Sequence, residues 1–295
     1  MKTPFHQTTI ALVYDFDGTL SPKAMQEYTI LPELGEDPVA FWHECTEEAH
    51  RLKADPMLTY MRLLIEKMAK SGGRITQQRL RELAAGIPYF PGVSVWFEHI
   101  NHYVHTQSNG RVQIKHYIIS AGLKDILDGI TIRHHFANMF GSEYYFCATD
   151  GLPKFPTIVV NDTTKTQYLF RINKGHEDVR EPINDVMPYA ERPIPFSNIV
   201  YIGDGSTDVP CMSVARRNGG YAVAVHKDTQ THAACEALLA DDRIDYLAKA
   251  DYSPGTELDH RVRLIIDRII ADIFFKEEHF IQKHPQQHSH TTPCQ

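Results

Sequence analysis

The sequence predicts a doubly wound α/β protein: a parallel sheet covered on both faces by helices, with a purely helical segment inserted near its start. Three observations carry this. Four short apolar runs, "IALVYDF", "KHYIISAG", "NIVYIGDG" and "YAVAV", lack the polar alternation of a half-exposed strand, so they suit strands buried on both faces. Helix-like segments lie between them, the alternation that a parallel sheet requires. Residues 23–89 are instead rich in Glu, Ala, Leu, Met, Lys and Arg and hold no convincing strand.

The elements follow in order. The first strand ends in "DFDGTL" and gives way to the helical stretch. There "DPMLTYMRLLIEKMAKSG" sets Leu58, Met61, Leu64, Ile65 and Met68 at helical spacing. A further helix, "TQQRLRELAAG", ends at Gly86. Pro91-Gly92 signals the turn out of the insert, and "VSVWFEHINHYVH" resumes as a core helix. Residues 142–173 mix β-prone pieces with Asp-Gly and Asn-Asp signals, and read as a strand plus a hairpin. A long amphipathic helix is expected over 256–280, then a disordered tail. The implied division is a core of 1–22 and 90–255, a helical cap of 23–89, a C-terminal helix of 256–281 and a tail of 282–295.

Composition narrows the function classes. The chain has 295 residues, 42% hydrophobic and 23% charged, as a globular protein does. Its 30 basic and 37 acidic residues give a net charge of −7, which disfavours a nucleic-acid binder but not a small anionic ligand in a local pocket. The 5 cysteines form no CxxC pair and are odd in number, so reduced thiols and a reducing compartment are expected, by default the cytoplasm. The first residues show no apolar signal core, and no window is long and apolar enough for a membrane span.

In open α/β sheets ligands bind beyond the carboxyl ends of the strands. Asp15, Ser120 and Asp204 all fall at such ends. Asp15 and Asp17 lie one residue apart, so in extended geometry both carboxylates face one side. Two acids so close need a counter-charge, and a hard divalent cation such as Mg²⁺ suits oxygen ligands of this kind. The second acidic cluster is "GDGSTDVP". There Ser206 would cap a helix and place Asp208 in its first turn, facing the same pocket. One lysine is also needed to hold charge on a phosphoryl group. Lys174 in "FRINKG" is preferred, with Lys165 in "TTKTQ" as the competitor.

In this order, Asp15-Phe-Asp17-Gly-Thr19, Ser120, Lys174 and Gly203-Asp-Gly-Ser-Thr-Asp208 resemble the four motifs of the haloacid dehalogenase-like hydrolases. The helical insert between the first and second motifs resembles the phosphoserine phosphatase-like branch. The resemblance implies a Rossmann-like parallel sheet core with an inserted α-helical cap, and a phosphatase acting on a small phosphorylated metabolite. It implies Asp15 as nucleophile and Asp17 as general acid and base, with Mg²⁺ held by Asp15, the Asp17 backbone carbonyl, Asp204 and Asp208. Thr19, Ser120, Ala121, Gly122 and Lys174 would hold the phosphoryl oxygens. By the same resemblance, the second aspartate marks phosphatases, because an alkoxide leaving group needs a proton and a halide does not. Phosphoserine-specific members carry a glutamate early in the cap; Glu27, the nearest acid here, is not a clear match. A phosphotransferase and a non-catalytic binding protein of the same fold stay open as alternatives.

His99, His102 and His105 offer no tight cluster on a helix, and read as a solvated or half-buried face. His134 and His135 read as structural residues in a helix-like run.

Overall fold

The computed structural model describes residues 5–72 and 75–284. Seven strands form one sheet: β1 (Thr9–Tyr14), β2 (Gln113–Leu123), β3 (Phe136–Phe146), β4 (Pro153–Ile158), β5 (Ile199–Gly203), β6 (Tyr221–His226) and β7 (Tyr246–Lys249). Their order is β4-β3-β2-β1-β5-β6-β7. All neighbours pair in parallel except β3 with β4. The four apolar runs are β2, β1, β5 and β6, which lie side by side at the centre. β1 is flanked on both edges, and Tyr14 pairs with Ile118 on one side and Ile202 on the other.

Alternation along β1 divides the core into two layers. Leu12 and Tyr14 belong to one apolar cluster with Trp96, Ile118 and Ile266, whereas Ala11 and Val13 join Tyr117, Ile119, Tyr168 and Tyr201 in the other. Successive side chains therefore serve opposite faces, which is why the strand sequences carry no polar alternation. Full burial of each large apolar side chain contributes roughly 1.5–3 kcal/mol.

Between β1 and β2 come α1 (Met25–Tyr28), α2 (Ile30–Leu34), α3 (Pro38–Leu52), α4 (Pro56–Lys70) and α5 (Gln77–Leu83), with no strand among the described residues. Asp37, Asp55 and Thr76 accept the capping bonds that start the last three, and Pro38 and Pro56 fill first-turn positions where a missing N–H costs nothing. The Phe90 N–H donates to the Leu20 carbonyl at 3.0 Å, so the segment leaves and rejoins the sheet at one point. Its buried Phe41, Tyr60 and Leu64 belong to the first apolar cluster, so insert and sheet share a continuous core. The chain then forms α6 (Val93–Ser108) before β2 and α7 (Lys124–Leu127) after it.

Three strands, β3, β4 and β7, lie outside the four apolar runs. β3 begins immediately after His134-His135, which occupy a 3₁₀ turn rather than a helix. β3 and β4 form the expected hairpin, closed by the Cys147 N–H on the Leu152 carbonyl at 3.0 Å. β7 is four residues of ordinary composition, placed by pairing with β6. The end of the hairpin segment is a helix, α8 (Lys165–Lys174), not a β excursion. The chain continues as α9 (Val209–Arg217), α10 (Thr229–Ala240) and α11 (Glu257–Lys283). In α11, Val262, Ile265, Ile266, Ile269 and Ile273 face the core, and Thr256 caps the start. Residues 282 and 283 complete this helix rather than opening a tail; 285–295 lie outside the described residues. Cys45, Cys147, Cys211 and Cys235 are free thiols. Among the described residues no helix is long and apolar enough to cross a membrane.

Candidate active site

Asp15 leaves β1 one residue past the last paired position, and its N–H still donates to the Ile202 carbonyl at 2.9 Å. The chain then folds on itself. The Phe16 carbonyl accepts from Leu20 at 2.9 Å and from Ser21 at 3.0 Å, and Gly18 turns with φ +81°. A Cβ on Gly18 would lie 2.0 Å from Asp204 Oδ2. The turn demands glycine twice over, for its left-handed backbone and for the approach of the second acidic loop.

That approach gathers the acids. Asp15, Asp204 and Asp208 each offer a carboxylate oxygen within 4.8 Å of the others. Lys165, 1% exposed, donates to Asp15 Oδ1 and to Asp208 Oδ1, both at 2.8 Å. Tyr201 Oη donates to Asp208 Oδ1 at 2.7 Å, and the Asp204 N–H to Asp208 Oδ2 at 3.2 Å. Asp17 Oδ1 accepts from the Met25 N–H at 2.8 Å, which ties its side chain to the first residue of α1. Its carboxyl is not one of the three gathered acids, so the expected metal role of Asp17 rests on its backbone alone.

The charges do not balance within the protein. Burial, then the Asp208 charge, pushes Asp15 well above the usual carboxylate range, and Lys165 only partly opposes this. Burial likewise pushes Asp17 up to about 7 and, with Asp208, Asp204 up to about 6. For Lys165 burial favours the neutral amine, but Asp15 and Asp208 outweigh it and hold the ammonium charged above its ordinary value. Four acids share one buried cation, a surplus of negative charge that a bound cation would relieve.

Lys174 is not in this group, which corrects the preferred assignment. Its Nζ donates to the carbonyls of Ile183 and Asp185 at 2.6 and 2.7 Å. It lies nine residues, about 13 Å of helix rise, from Lys165. The error is one of helix polarity. Gly175 closes α8 with φ +70°, so Lys174 sits in its last turn and Lys165 at its start. The opening signal lay upstream in Asn161 and Thr164, whose side chains each accept the other's backbone N–H, at 2.9 and 2.7 Å. That cap aims Lys165 at the ends of β1 and β5.

Other expected residues are placed as follows. Ser120 and Gly122 lie where the β2–β3 register breaks between Ile119 and Leu123, a bulge inside the strand rather than a strand end. Ser120 Oγ accepts from the Gly122 N–H at 3.0 Å, and Ala121 and Gly122 line a cavity together with Asp17. Thr19 is buried, and its Oγ1 has no partner among the described residues. Asp208 ends a 3₁₀ turn and precedes α9 rather than lying in its first turn. The Ser206 cap falls on a side chain outside the described residues. His99 is bonded to Asp259 at 2.9 Å, and among the described residues the histidines form no metal-binding group. Tyr201 was missed; its period-two relation to Gly203, just before Asp204, was the available signal.

No family model matches the chain. It is 27% identical over 275 residues to an uncharacterized protein of Borreliella burgdorferi, covering 85% of this chain and 94% of that one. A hydrolase of the haloacid dehalogenase family from Salmonella enterica serovar Typhi superposes with a TM-score of 0.56 at 18% identity, over 84% of this chain and 69% of its own. A probable phosphoserine phosphatase from Vibrio cholerae gives 0.55 at 16%, over 92% and 68%. A phosphoserine phosphatase solved as a phospho-aspartyl intermediate analogue gives 0.50 at 14%, over 87% and 99%. The fold is that of the haloacid dehalogenase-like hydrolases, in the form seen in phosphoserine phosphatases.

Proposed function

We propose that the protein is a Mg²⁺-dependent phosphatase that hydrolyses a small phosphomonoester through a phosphoaspartate on Asp15. The observation that carries this is the pairing of Asp15 with Lys165 at 2.8 Å, inside a group of acids whose oxygens converge within 4.8 Å. The shared fold supports it, as does the neighbour held as a phospho-aspartyl analogue.

The donor set fits the metal. Asp15, Asp204 and Asp208 supply only hard carboxylate oxygens, already crowded into one buried place, and the Asp17 carbonyl would add another. Bound there, Mg²⁺ would screen the phosphate's charge from the carboxylates.

The chain's own groups do the rest. An Asp15 oxygen attacks phosphorus, and the bond from phosphorus to the leaving oxygen breaks. Asp17 gives that oxygen its proton; a carboxyl held near 7 is still about half protonated at neutral pH. Lys165 holds Asp15 in place and offsets charge as it builds on the phosphoryl oxygens. Tyr201 and the Asp204 N–H fix Asp208, which positions Lys165 from the other side. Water then attacks phosphorus, Asp17 takes its proton, and Asp15 is released with inorganic phosphate.

Hydrolysis of p-nitrophenyl phosphate in the presence of Mg²⁺ tests this. Asp15→Asn is expected to lower kcat by about 10⁴-fold or more. A variant that retains activity within tenfold of the wild type, on the order of 1.4 kcal/mol in barrier, removes the covalent route.

A further inference from the structure

A cavity of about 240 Å³ opens directly on Asp17, between the insert and the end of the sheet. Asp17, Ala121 and Gly122 form its floor. Its walls come from the insert: Gln26, Trp42 and Thr46, Met57 and Tyr60. The Trp42 and Tyr60 rings lie 5.4 Å apart at 42°, with Phe41 packed edge-on against both.

The charge inventory of this cavity is one-sided. Among the described residues Asp17 is the only acid that lines it, and no lysine, arginine or histidine does. Cys45, pushed up to about 11 by burial, stays a neutral thiol. Two basic residues of α4 are committed elsewhere: Lys67 to Glu36 and Glu44 at 3.0 and 2.9 Å, Arg62 to Glu48 at 2.8 Å. Behind Trp42 stands another acid, since the indole N–H donates to Glu27 Oε1 at 3.3 Å. An anion in this cavity would lose its water with no cation among the lining residues to replace it.

The lining includes the amide of Gln26. Gln26 Nε2 donates to Tyr60 Oη at 2.7 Å, and the amide's other end, Oε1, is buried with no partner among the described residues. A hydroxyl or N–H donor would satisfy it.

Resting on the phosphatase reading above, we propose that the leaving group is a compact alcohol with no second anionic charge, uncharged or cationic, seated between Gln26, Trp42 and Tyr60. The flat ring faces accept an apolar or cationic body, and the phosphoryl end alone meets positive charge, at Lys165. Phosphoserine, with a carboxylate beside the reacting oxygen, is a poor fit, even though solved proteins of this fold act on it.

Phosphoethanolamine and phosphoserine differ by that one carboxylate and make the test. Their kcat/KM values are measured with Mg²⁺, beside p-nitrophenyl phosphate as reference. The expected result is a preference for phosphoethanolamine of about 100-fold. Thr46→Lys, which puts a cation at the mouth on an exposed helix position, narrows that preference by about tenfold, each rate being taken relative to the variant's own p-nitrophenyl phosphate rate. Equal or better turnover of phosphoserine by the wild type, with p-nitrophenyl phosphate hydrolysed, overturns this inference and leaves the phosphatase reading standing. Phosphate release from none of the three overturns both.

Discussion

Tyr14 and Asp15 are neighbours in the chain, both buried at the centre of the sheet, and they anchor two polar networks of opposite kind. On the Tyr14 side every group is paired and neutral. The Trp96 indole can only donate, so it gives its proton to Tyr14 Oη at 2.8 Å; Tyr14 then donates to His116 Nδ1 at 3.1 Å, and His116 Nε2 donates to Asn101 Oδ1 at 2.9 Å. On the Asp15 side, two carboxylates share Lys165, Asp204 stands within reach, and the charge is left unbalanced. One network closes on itself; the other is complete only with something added. Buried polarity alone does not mark a site; a surplus of charge of one sign does.

The contrast can be broken at several points. The largest expected effect is on the charged side. Lys165→Met should lower kcat by about 10²–10³-fold, the range for removing a preorganised charge stabiliser. Lys174→Met should leave kcat within about threefold, because its ammonium holds only the carbonyls of Ile183 and Asp185. Steady-state kinetics of the two variants side by side decides which lysine serves the site.

Mg²⁺ comes next. If the acids want a cation, Mg²⁺ at about 100 times its Kd should raise unfolding free energy by about 2.7 kcal/mol. Asp204→Asn should remove most of that gain, whereas Tyr14→Phe should keep it. Thermal melts with and without Mg²⁺ read this out, and a gain unchanged in Asp204→Asn separates the ion from this cluster.

The neutral side answers to pH. Burial pushes His116 down to about 3 from an ordinary 6.5. The unfolded chain therefore takes up a proton first as pH falls. The stability of keeping His116 neutral is complete above about pH 6.5 and is lost between there and about pH 3, at about 1.4 kcal/mol per unit. From pH 6.5 to 5 this amounts to about 2 kcal/mol, measured by urea unfolding, and His116→Gln should flatten the slope.

On activity the smallest effect expected on this network is that of Tyr14→Phe, which removes one hydroxyl and leaves Trp96 Nε1 and His116 Nδ1 without it. About 1–3 kcal/mol of stability should go while kcat changes little. A large loss of activity with unchanged stability would show that the two networks are not separate after all.

The two networks were unequally legible. The acidic one was announced by its own oddity: aspartates directly after apolar runs, with Gly18 and Gly203 beside them. Tyr14, Trp96, Asn101 and His116 gave no such sign, because each is ordinary in its own element and their meeting joins β1, α6 and β2. Lys165 lay between the two cases. Both lysines sit in polar surroundings in sequence, and only the capped start at Asn161 and the left-handed Gly175 tell which end of α8 faces the sheet. The cavity wall of Trp42 and Tyr60 was hidden among other apolar residues of amphipathic helices, where periodicity marks burial but not what is buried against what.

What the sequence by itself determined is therefore local: four central strands from unbroken apolar runs, the helices of the insert from spacing and caps, and the acids at strand ends. Strand geometry and helix starts follow from sterics and hydrogen bonds within a few residues, and these the chain spells out. The tertiary structure alone decided the order of the sheet, the entry of β7, the choice of Lys165 and the charge of the cavity over Asp17. Each depends on side chains distant in sequence coming within a few ångströms, where burial strips away water and lets a single cation or its absence settle what can bind.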